Sequence, residues 1–378
     1  MIRLLIADDS ALMRKLLQDI FVSEGDFDIR LARNGTEALE LVRTFDPQVI
    51  TLDVQMPDMD GLTCLSRIMI EAPRPVVMVS SLTAEGAEST LEAIELGAVD
   101  FVAKPSGAVS LEIDRLRPIL VEKVRAASSA RIRRTLRLTE RVRHQMRGAG
   151  VAARPRPKAP ARLNAPGDSR SKKRARKKQS ASELPGLVLI GSSTGGPAAL
   201  DAVLPHLPGD FPWPVLVAQH LPASFTGPFA RRLNDDCALN VVEVDRPMPL
   251  QAGTIYIGKG DADVVVAPRA AGLIAMPVPA QASYLWHPSV ERMVLSAIDH
   301  IDAHQLIGVL LTGMGNDGAG AMKMLHDRHG RTIAEAESTA IVWGMPGELV
   351  RNGGAERVCP LVDIAPAILD MLCAHAPH

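Results

Sequence analysis

Three residues in the C-terminal half of the chain are of the types that acyl transfer requires, and each lies just after an apolar run. In chain order they are Ser193, His220 and Asp317. Apolar runs of this length predict strands, and side chains that follow neighbouring parallel strands meet at one edge of a sheet. A serine, a histidine and an aspartate at that edge would supply a nucleophile, a general base and a group that orients the base. The sequence therefore predicts a serine hydrolase site.

The segment around Ser193 has the pattern of a nucleophile turn. Residues 191–195 read Gly-Ser-Ser-Thr-Gly, which fits the motif Gly-x-Ser-x-Gly, and Pro197 suits the first turn of a following helix. Backbone N–H groups at such a helix start stabilise negative charge, so we expect them to receive the oxyanion of the reaction. These amides belong to Thr194, Gly195 and Gly196. The alternative is a phosphate-binding loop, but the glycine spacing of a dinucleotide fold and the Walker lysine are both missing.

Five polar residues of the N-terminal part lie at the ends of predicted strands. Asp8 and Asp9 follow the first strand and Asp53 ends the third, so the three carboxylates converge at one edge of a parallel sheet. Their repulsion is relieved by a hard divalent cation with oxygen ligands, and the expected ion is Mg²⁺. Ser80 ends the fourth strand and Lys104 ends the fifth. A hydroxyl and an ammonium at this edge are suitable partners for a phosphoryl group on an aspartate.

The elements that must position these residues alternate between strands and helices. The predicted strands are 2–7, 27–32, 48–54, 75–80 and 100–103, and then 187–191, 214–219, 240–244, 254–257, 263–267 and 306–312. This alternation predicts the α/β class, with two doubly wound domains that are each built on a parallel sheet covered by helices on both faces. The predicted boundaries are 1–125 for the first domain, 126–183 for a linker and 184–378 for the second domain.

The predicted linker has a composition unlike that of either domain. Between Arg131 and Lys178 there are 18 lysines and arginines against two acids, with proline, alanine and serine among the rest. Such a segment cannot bury a core, so we expect a basic, flexible and solvated tether. A basic run could also contact nucleic acid or a membrane surface. The formal net charge of −1 argues against a dedicated nucleic-acid-binding protein, and no nucleic acid partner is expected.

Cysteine usage and hydropathy indicate a reducing, aqueous compartment. The four cysteines show no Cys-x-x-Cys spacing, which argues against a disulfide framework or a zinc site. The first residues form a strand-like run instead of a signal peptide, and no apolar stretch approaches the ~20 residues that a membrane span needs. We therefore expect a cytoplasmic protein.

Residues 1 to about 120 resemble the receiver domain of two-component response regulators. The matching stretches are Ala7-Asp8-Asp9-Ser10, Leu52 to Pro57, Asp60-Gly61, Val79-Ser80-Ser81 and Lys104-Pro105. The resemblance implies a flavodoxin-like domain in which Asp53 is the phosphoacceptor and holds Mg²⁺ together with Asp8 and Asp9. The residues implied to sense the phosphoryl group are Ser80 and Lys104, and the implied switch aromatic is Phe101.

Residues 187–370 resemble the catalytic domain of the chemotaxis protein-glutamate methylesterase family. The matching stretches are 190–196, 218–220, 287–290, 311–318 and 344–346. The resemblance implies a Rossmann-like domain in which Ser193 is the nucleophile, His220 the base and Asp317 its orienter. It also implies that Thr194 and Met314 line the same pocket.

One departure from the family pattern concerns Ser192, which stands where a small alanine is usual. Its hydroxyl is a second candidate nucleophile beside Ser193. Only Ser193 is in register with the following Thr-Gly-Gly, so the resemblance favours Ser193.

The two resemblances together imply an enzyme controlled by phosphorylation. It would hydrolyse glutamate γ-methyl esters on methyl-accepting chemoreceptors, and some members of the family also deamidate receptor glutamines. The implied phosphodonor is a chemotaxis histidine kinase, and no cofactor is expected for hydrolysis. The receiver would pack over the esterase cleft until Asp53 is phosphorylated. Three alternatives stay open: a non-enzymatic regulator that binds nucleic acid, a dinucleotide-dependent enzyme, and the same esterase in another sensory pathway.

Overall fold

A five-stranded parallel sheet in the first half of the chain carries the acidic residues. The computed structural model describes residues 1–80, 83–104, 109–130 and 184–373. The strands are β1 (Ile2–Ala7), β2 (Phe27–Ala32), β3 (Val49–Asp53), β4 (Val76–Ser80) and β5 (Asp100–Ala103), in the order β2-β1-β3-β4-β5. Because β1 and β3 are parallel neighbours, the residues that follow them lie at the same edge.

Four helices connect these strands, and a fifth follows β5: α1 (Ala11–Glu24), α2 (Gly35–Thr44), α3 (Gly61–Glu71), α4 (Ala84–Glu95) and α5 (Val109–Ser128). The first four begin after a polar residue whose side chain accepts a hydrogen bond from a backbone N–H group of the first turn. These N-caps are Ser10, Asn34, Asp60 and Thr83. Buried aliphatic side chains lie on both faces of the sheet, as a doubly wound domain requires.

A seven-stranded parallel sheet in the second half carries the predicted catalytic residues. Its strands are β6 (Leu187–Ser192), β7 (Val215–Gln219), β8 (Asn240–Val244), β10 (Thr254–Gly258), β13 (Leu306–Leu310), β14 (Arg331–Glu335) and β15 (Arg357–Cys359), in the order β15-β14-β13-β6-β7-β10-β8. The helices that pack on it are α6 (Gly196–Val203), α7 (Ala223–Asp236), α8 (Val290–Ile298), α9 (Ala319–Asp327), α10 (Met345–Arg351) and α11 (Ile364–Cys373). With β6 between β7 and β13, three strand ends meet where the predicted triad lies.

One predicted strand lies outside the large parallel sheet. β11 (Ala262–Arg269) pairs antiparallel with β12 (Gly272–Pro279), which in turn pairs with β9 (Met248–Pro249). A two-residue connection can join only antiparallel neighbours, since a parallel pair needs a crossover of a dozen or more residues. The expectation that 263–267 contributes to a doubly wound sheet is therefore wrong. Strands β14 and β15, which complete the parallel sheet, were not among the predicted strands.

The two domains are in direct contact. The rings of Phe101 in β5 and Phe225 in α7 lie 4.2 Å apart between centroids. The Arg232 guanidinium binds Glu95 of the first domain at 2.7 Å and Asp201 of the second at 2.8 Å. Buried apolar side chains of both domains form one continuous cluster. The first domain is therefore docked on the second by packing as well as by ion pairs.

The predicted linker is described only in part. Helix α5 ends at Ser128, three residues past the predicted end of the first domain, and residues 131–183 lie outside the described residues. Among the described helices, none combines the length and the apolar composition that a membrane-spanning segment requires.

Candidate active site and receiver acidic cluster

Ser193 and His220 form a hydrogen-bonded pair at the carboxyl ends of β6 and β7. Each directly follows its strand, and the last paired residues of the two strands are Ser192 and Gln219. Ser193 Oγ lies 3.0 Å from His220 Nδ1, and both side chains are buried. With the ring proton on Nε2, the Nδ1 atom can accept the proton of the hydroxyl. The geometry therefore suits activation of Ser193 as a nucleophile.

Asp317 binds the other nitrogen of the His220 ring. Its Oδ2 lies 2.8 Å from His220 Nε2, and its carboxylate also accepts hydrogen bonds from Ser289 Oγ and from the N–H groups of Val290 and Glu291 at the start of α8. Burial acts to raise the pKa of Asp317, but the hydrogen bonds from His220 and from these amides outweigh it and hold the pKa below its ordinary value. The carboxylate therefore stays ionised and favours the ring tautomer with its proton on Nε2.

The turn after β6 is held by two hydrogen bonds with Thr312, which follows β13. The N–H group of Ser193 donates to the Thr312 carbonyl at 3.0 Å, and Thr312 Oγ1 donates to the Thr194 carbonyl at 2.9 Å. Gly195 has a φ of 77°, a left-handed conformation that favours glycine. The N–H group of Gly196, one of the predicted oxyanion donors, donates to the Ser193 carbonyl at 2.7 Å. In this conformation that amide helps to close the turn.

Side chains from both domains enclose a cavity beside His220. The Trp286 ring stacks on the imidazole, with centroids 5.6 Å apart and an interplanar angle of 11°. The cavity has a volume of about 210 Å³ and is lined by Leu285 and Trp286 of the second domain and by Phe101 and Ile119 of the first. The first domain therefore occupies part of the space through which a substrate would reach the base. Trp286 was not predicted, since only its position before the matching 287–290 stretch marks it.

Met314, which the resemblance places in the same pocket, lines a different cavity between the domains. This cavity has a volume of about 540 Å³, and its other walls include Arg117, Val121 and Glu122 of α5. The side chain thus lies against the first domain in this conformation, and its contact with a substrate stays a prediction.

A residue of the first domain binds the nucleophile turn directly. Thr194 Oγ1 donates to Asp100 Oδ2 at 2.6 Å. The other oxygen of Asp100 accepts a hydrogen bond from Lys123 Nζ at 2.8 Å, and the same ammonium donates to the Phe101 carbonyl at 2.9 Å. The side chains of Thr194, Asp100 and Lys123 are all buried, so the carboxylate is paired as a buried charge must be. This contact was not predicted, because it exists only through the docking of the two domains.

Asp8, Asp9 and Asp53 converge at the edge of the first sheet. One carboxylate oxygen of each lies within 4.8 Å of the others. Lys104 Nζ lies 2.6 Å from Asp53 Oδ2 and 2.9 Å from Asp8 Oδ2. Burial raises the pKa of Asp53 to about 6; the hydrogen bond from Lys104 opposes this shift, and the charge of Asp8 adds to it. Three converging carboxylate oxygens that repel one another, two of them on the buried residues Asp8 and Asp53 and one on the exposed Asp9, fit the ligand preference of Mg²⁺.

Strand β5 connects this acidic cluster with the nucleophile turn. Asp100 at its start binds Thr194, and Lys104, which follows its end, binds Asp53. Ser80 is paired with Ala103 in the neighbouring strand, and its hydroxyl donates to the Gly86 carbonyl at 3.2 Å. The strand is four residues long, so the two contacts are separated by roughly 13 Å of extended chain.

Two family models match the chain. Residues 188–368 match the model described as CheB methylesterase, and residues 4–113 match the response regulator receiver domain. The crystal structure of the Thermotoga maritima CheB methylesterase catalytic domain is 32% identical in sequence, with a TM-score of 0.48, and covers 49% of this chain and 98% of that one.

Two curated relatives match over nearly the full length. Protein-glutamate methylesterase/protein-glutamine glutaminase 2 of Rhodopseudomonas palustris is 65% identical over 370 residues, which cover 98% of this chain and 98% of that protein. Protein-glutamate methylesterase/protein-glutamine glutaminase 3 of Rhodospirillum rubrum is 54% identical, over 97% of this chain and 95% of that protein. These matches have the same order of domains as this chain and cover nearly its full length. The chain therefore belongs to the protein-glutamate methylesterase/protein-glutamine glutaminase family.

Proposed function

We propose that the chain hydrolyses glutamate γ-methyl esters on chemoreceptors and that phosphorylation of its receiver domain activates it. The observation that carries the proposal is the continuous series of hydrogen bonds from Ser193 through His220 to Asp317. The names of the relatives supply the substrate class, and they include a glutaminase. Deamidation of receptor glutamines follows the same acyl chemistry, with ammonia in place of methanol as the leaving group.

The chemistry assigns one role to each member of the triad. Ser193 Oγ attacks the ester carbonyl while His220 Nδ1 takes its proton, and Asp317 stabilises the imidazolium that forms. The amides of Thr194 and Gly195 receive the oxyanion, and Gly196 closes the turn that presents them. The imidazolium then protonates the departing methanol, and water activated by the same base releases the glutamate.

The receiver domain controls this site through Asp53. We assign Asp53 as the phosphoacceptor, with a chemotaxis histidine kinase as donor. Mg²⁺ would be held by Asp8, Asp9 and Asp53, and its positive charge would offset the negative charge of the phosphoryl group. The Lys104 ammonium, already paired with Asp53, and the Ser80 hydroxyl would bind the phosphoryl oxygens.

The closed arrangement of the domains supports inhibition by the unphosphorylated receiver. Ser193 and His220 are only 7% and 6% exposed, and Phe101 and Ile119 of the receiver line the cavity beside the base. A receptor helix cannot reach the nucleophile while these side chains are in place. Phosphorylation would favour an arrangement in which the receiver has moved away. The proposed functional units are the receiver (1–125), the linker (126–183) and the esterase (184–378).

The test is methanol release from receptor membranes that carry labelled methyl groups. The full chain would be assayed with and without Mg²⁺ and a small phosphodonor such as acetyl phosphate. We expect a low rate without the donor and a clear increase with it, because the donor phosphorylates Asp53.

Two variants separate the halves of the proposal. Ser193→Ala should abolish release under both conditions, and Asp53→Asn should keep the low rate but lose the response to the donor. Release that survives Ser193→Ala would refute the assignment of the nucleophile. A response that survives Asp53→Asn would refute the assignment of the phosphoacceptor.

A further inference from the structure

The catalytic pair lies immediately beyond the regular ladder between β6 and β7. The last paired residues are Ser192 and Gln219, and Ser193 and His220 come next on the two strands. One further backbone bond, from the His220 N–H group to the Ser192 carbonyl, is 3.2 Å long. The ladder between β6 and β7 therefore holds the main chain of His220 by this single hydrogen bond. Contacts outside the ladder are needed to set the separation of nucleophile and base.

The side chain of Gln219 connects both catalytic residues. Its Nε2 donates to the Ser193 carbonyl at 3.0 Å and to the His220 carbonyl at 3.2 Å. The side chain is buried, so these hydrogen bonds do not compete with water. Both N–H groups of the amide are thus used, one on the main chain of the nucleophile and one on that of the base.

Ser192 determines which way the amide faces. Its Oγ donates to Gln219 Oε1 at 2.6 Å. Because the carbonyls of Ser193 and His220 can only accept, the NH₂ group must face them, and the amide oxygen must face the donor that Ser192 supplies. The polar atoms of both side chains are therefore satisfied inside the protein. This arrangement gives the Ser192 hydroxyl a partner and a role separate from that of Ser193.

The start of α6 confirms how tightly this amide is enclosed. A Cβ atom at Gly196 would lie 1.9 Å from Gln219 Oε1 and 2.9 Å from Ser192 Cβ. Glycine is required at this position because any side chain would displace the amide. The position of Gln219 is thus fixed by β6, β7 and α6 together.

We propose that Gln219, oriented by Ser192, is a positioning residue that holds Ser193 and His220 at the separation needed for proton transfer. The inference rests on the proposed function, in which these two residues are nucleophile and base. Loss of the Gln219 hydrogen bonds would let the main chains of Ser193 and His220 move apart, while the surface of the protein that binds the substrate stays the same. A displacement of about 1 Å between reacting groups costs on the order of 100-fold in rate.

The experiment compares Gln219→Met, Gln219→Glu and Ser192→Ala in the full chain with Mg²⁺ and phosphodonor. It measures kcat and KM for methanol release, and the rate at which a fluorophosphonate probe labels Ser193. We expect Gln219→Met to lower kcat and the labelling rate by about 10- to 100-fold, with KM within about twofold of wild type. Gln219→Glu keeps the shape of the glutamine side chain but lacks its N–H donors, so its kcat should be as low as that of Gln219→Met. Ser192→Ala should give a smaller loss, of about 2- to 10-fold, because the NH₂ group keeps its two acceptors.

Thr332→Val is the matched control for loss of a buried hydroxyl. Thr332 Oγ1 donates to the Gly354 carbonyl and accepts from the Glu356 N–H group, at the end of β14 remote from the site. The melting temperature of Thr332→Val should fall about as much as that of Ser192→Ala, while its kcat stays at the wild-type value.

The outcomes separate the inference from the function on which it rests. Equal probe labelling of wild type and Ser193→Ala would refute the proposed nucleophile itself. If the probe labels Ser193 in wild type, a Gln219→Met variant with the wild-type kcat overturns the positioning role. If Gln219→Met does not fold, the same result in Ser192→Ala overturns it. A loss of kcat in Thr332→Val equal to that in Ser192→Ala also overturns it, because the effect would then reflect stability alone.

Discussion

The hydroxyl of Thr194 donates a 2.6 Å hydrogen bond to the carboxylate of Asp100, and this bond joins the turn that carries Ser193 to the receiver domain. Four residues after Asp100, Lys104 contacts Asp53 at 2.6 Å. A phosphoryl group on Asp53 would compete for Lys104 and so act on the same short strand that holds Thr194. The two sites are thereby close enough to be coupled by a small movement of β5.

Replacement of Asp100 by asparagine should raise the activity of the unphosphorylated chain. The amide keeps an oxygen for Lys123 but loses the negative charge that strengthens the hydrogen bond with Thr194. Loss of this charge weakens the hydrogen bond by about 1 kcal/mol. The open arrangement would then be about fivefold more populated, and the resting rate of methanol release should rise by the same factor.

The matched control for this change is Asp26→Asn. Asp26 pairs with Arg125 on the receiver surface, away from the turn. A resting rate that is equal in the two variants and in wild type would argue that the Asp100 contact does not restrain the receiver.

Asp317→Asn should leave the fold intact and lower kcat by about 10³- to 10⁴-fold. The amide would still fill the space beside α8, but it no longer stabilises the imidazolium or fixes the ring tautomer of His220. KM should change little, because Asp317 does not face the substrate side of the ring. Steady-state kinetics and circular dichroism on the same preparation check both statements, and a variant with near-normal kcat would contradict them.

Glu335 should make the stability of the protein depend on pH. Burial raises its pKa from 4.5 to about 7, while the Thr312 N–H group, which donates to Oε2 at 2.8 Å, acts to lower it. Since the folded chain holds this proton more tightly than the unfolded chain, the contribution is fully present below pH 4.5 and is lost as the pH rises to about 7. Part of the fall in melting temperature of wild type over this range should therefore be missing in Glu335→Gln.

Glu337→Gln provides the comparison for that measurement. Glu337 is exposed and two residues away, so this variant removes one carboxyl from the same segment and leaves the buried carboxyl in place. Parallel curves for wild type and Glu335→Gln would show that the buried carboxyl does not titrate in this range.

Removal of divalent cations should abolish the response to phosphodonor and leave the resting hydrolysis unchanged. The three carboxylates that suit Mg²⁺ belong to the receiver, whereas the proposed mechanism of hydrolysis uses Ser193, His220 and Asp317 and no metal ion. Methanol release before and after EDTA, followed by addition of Mg²⁺, tests this separation. Loss of the resting rate on chelation would count against it.

The sequence predicts the fold class and the meeting of Ser193, His220 and Asp317 because motif spacing and strand ends are local features. The convergence of Asp8, Asp9 and Asp53 is predicted for the same reason, since neighbouring parallel strands end at one edge. What these residues do stays a prediction, and the methanol and probe assays above decide it.

Contacts that depend on the packing of distant segments are not visible in the sequence. Asp100 is one acidic residue at the start of a short strand, and only domain docking brings it to Thr194. Ser192 stands out in sequence as a competing nucleophile, whereas the structure shows its hydroxyl bound to Gln219. The strand 263–267, which lies within β11, is predicted for the wrong sheet because its apolar run resembles that of a buried parallel strand.

The contacts that dock the receiver, which include a buried hydrogen bond, an aromatic pair, a bridging arginine and a shared apolar cluster, limit how strongly the enzyme can respond to a signal. A chain that opens spontaneously one time in a hundred retains about 1% of its full rate at rest, and no phosphodonor can then stimulate it more than about 100-fold. The combined strength of these contacts therefore sets both the rate without a signal and the largest increase that a signal can produce. Substitutions at Asp100, Phe225 or Arg232 would raise one at the expense of the other, so the response of the enzyme could be tuned at this interface without a change in the proposed triad.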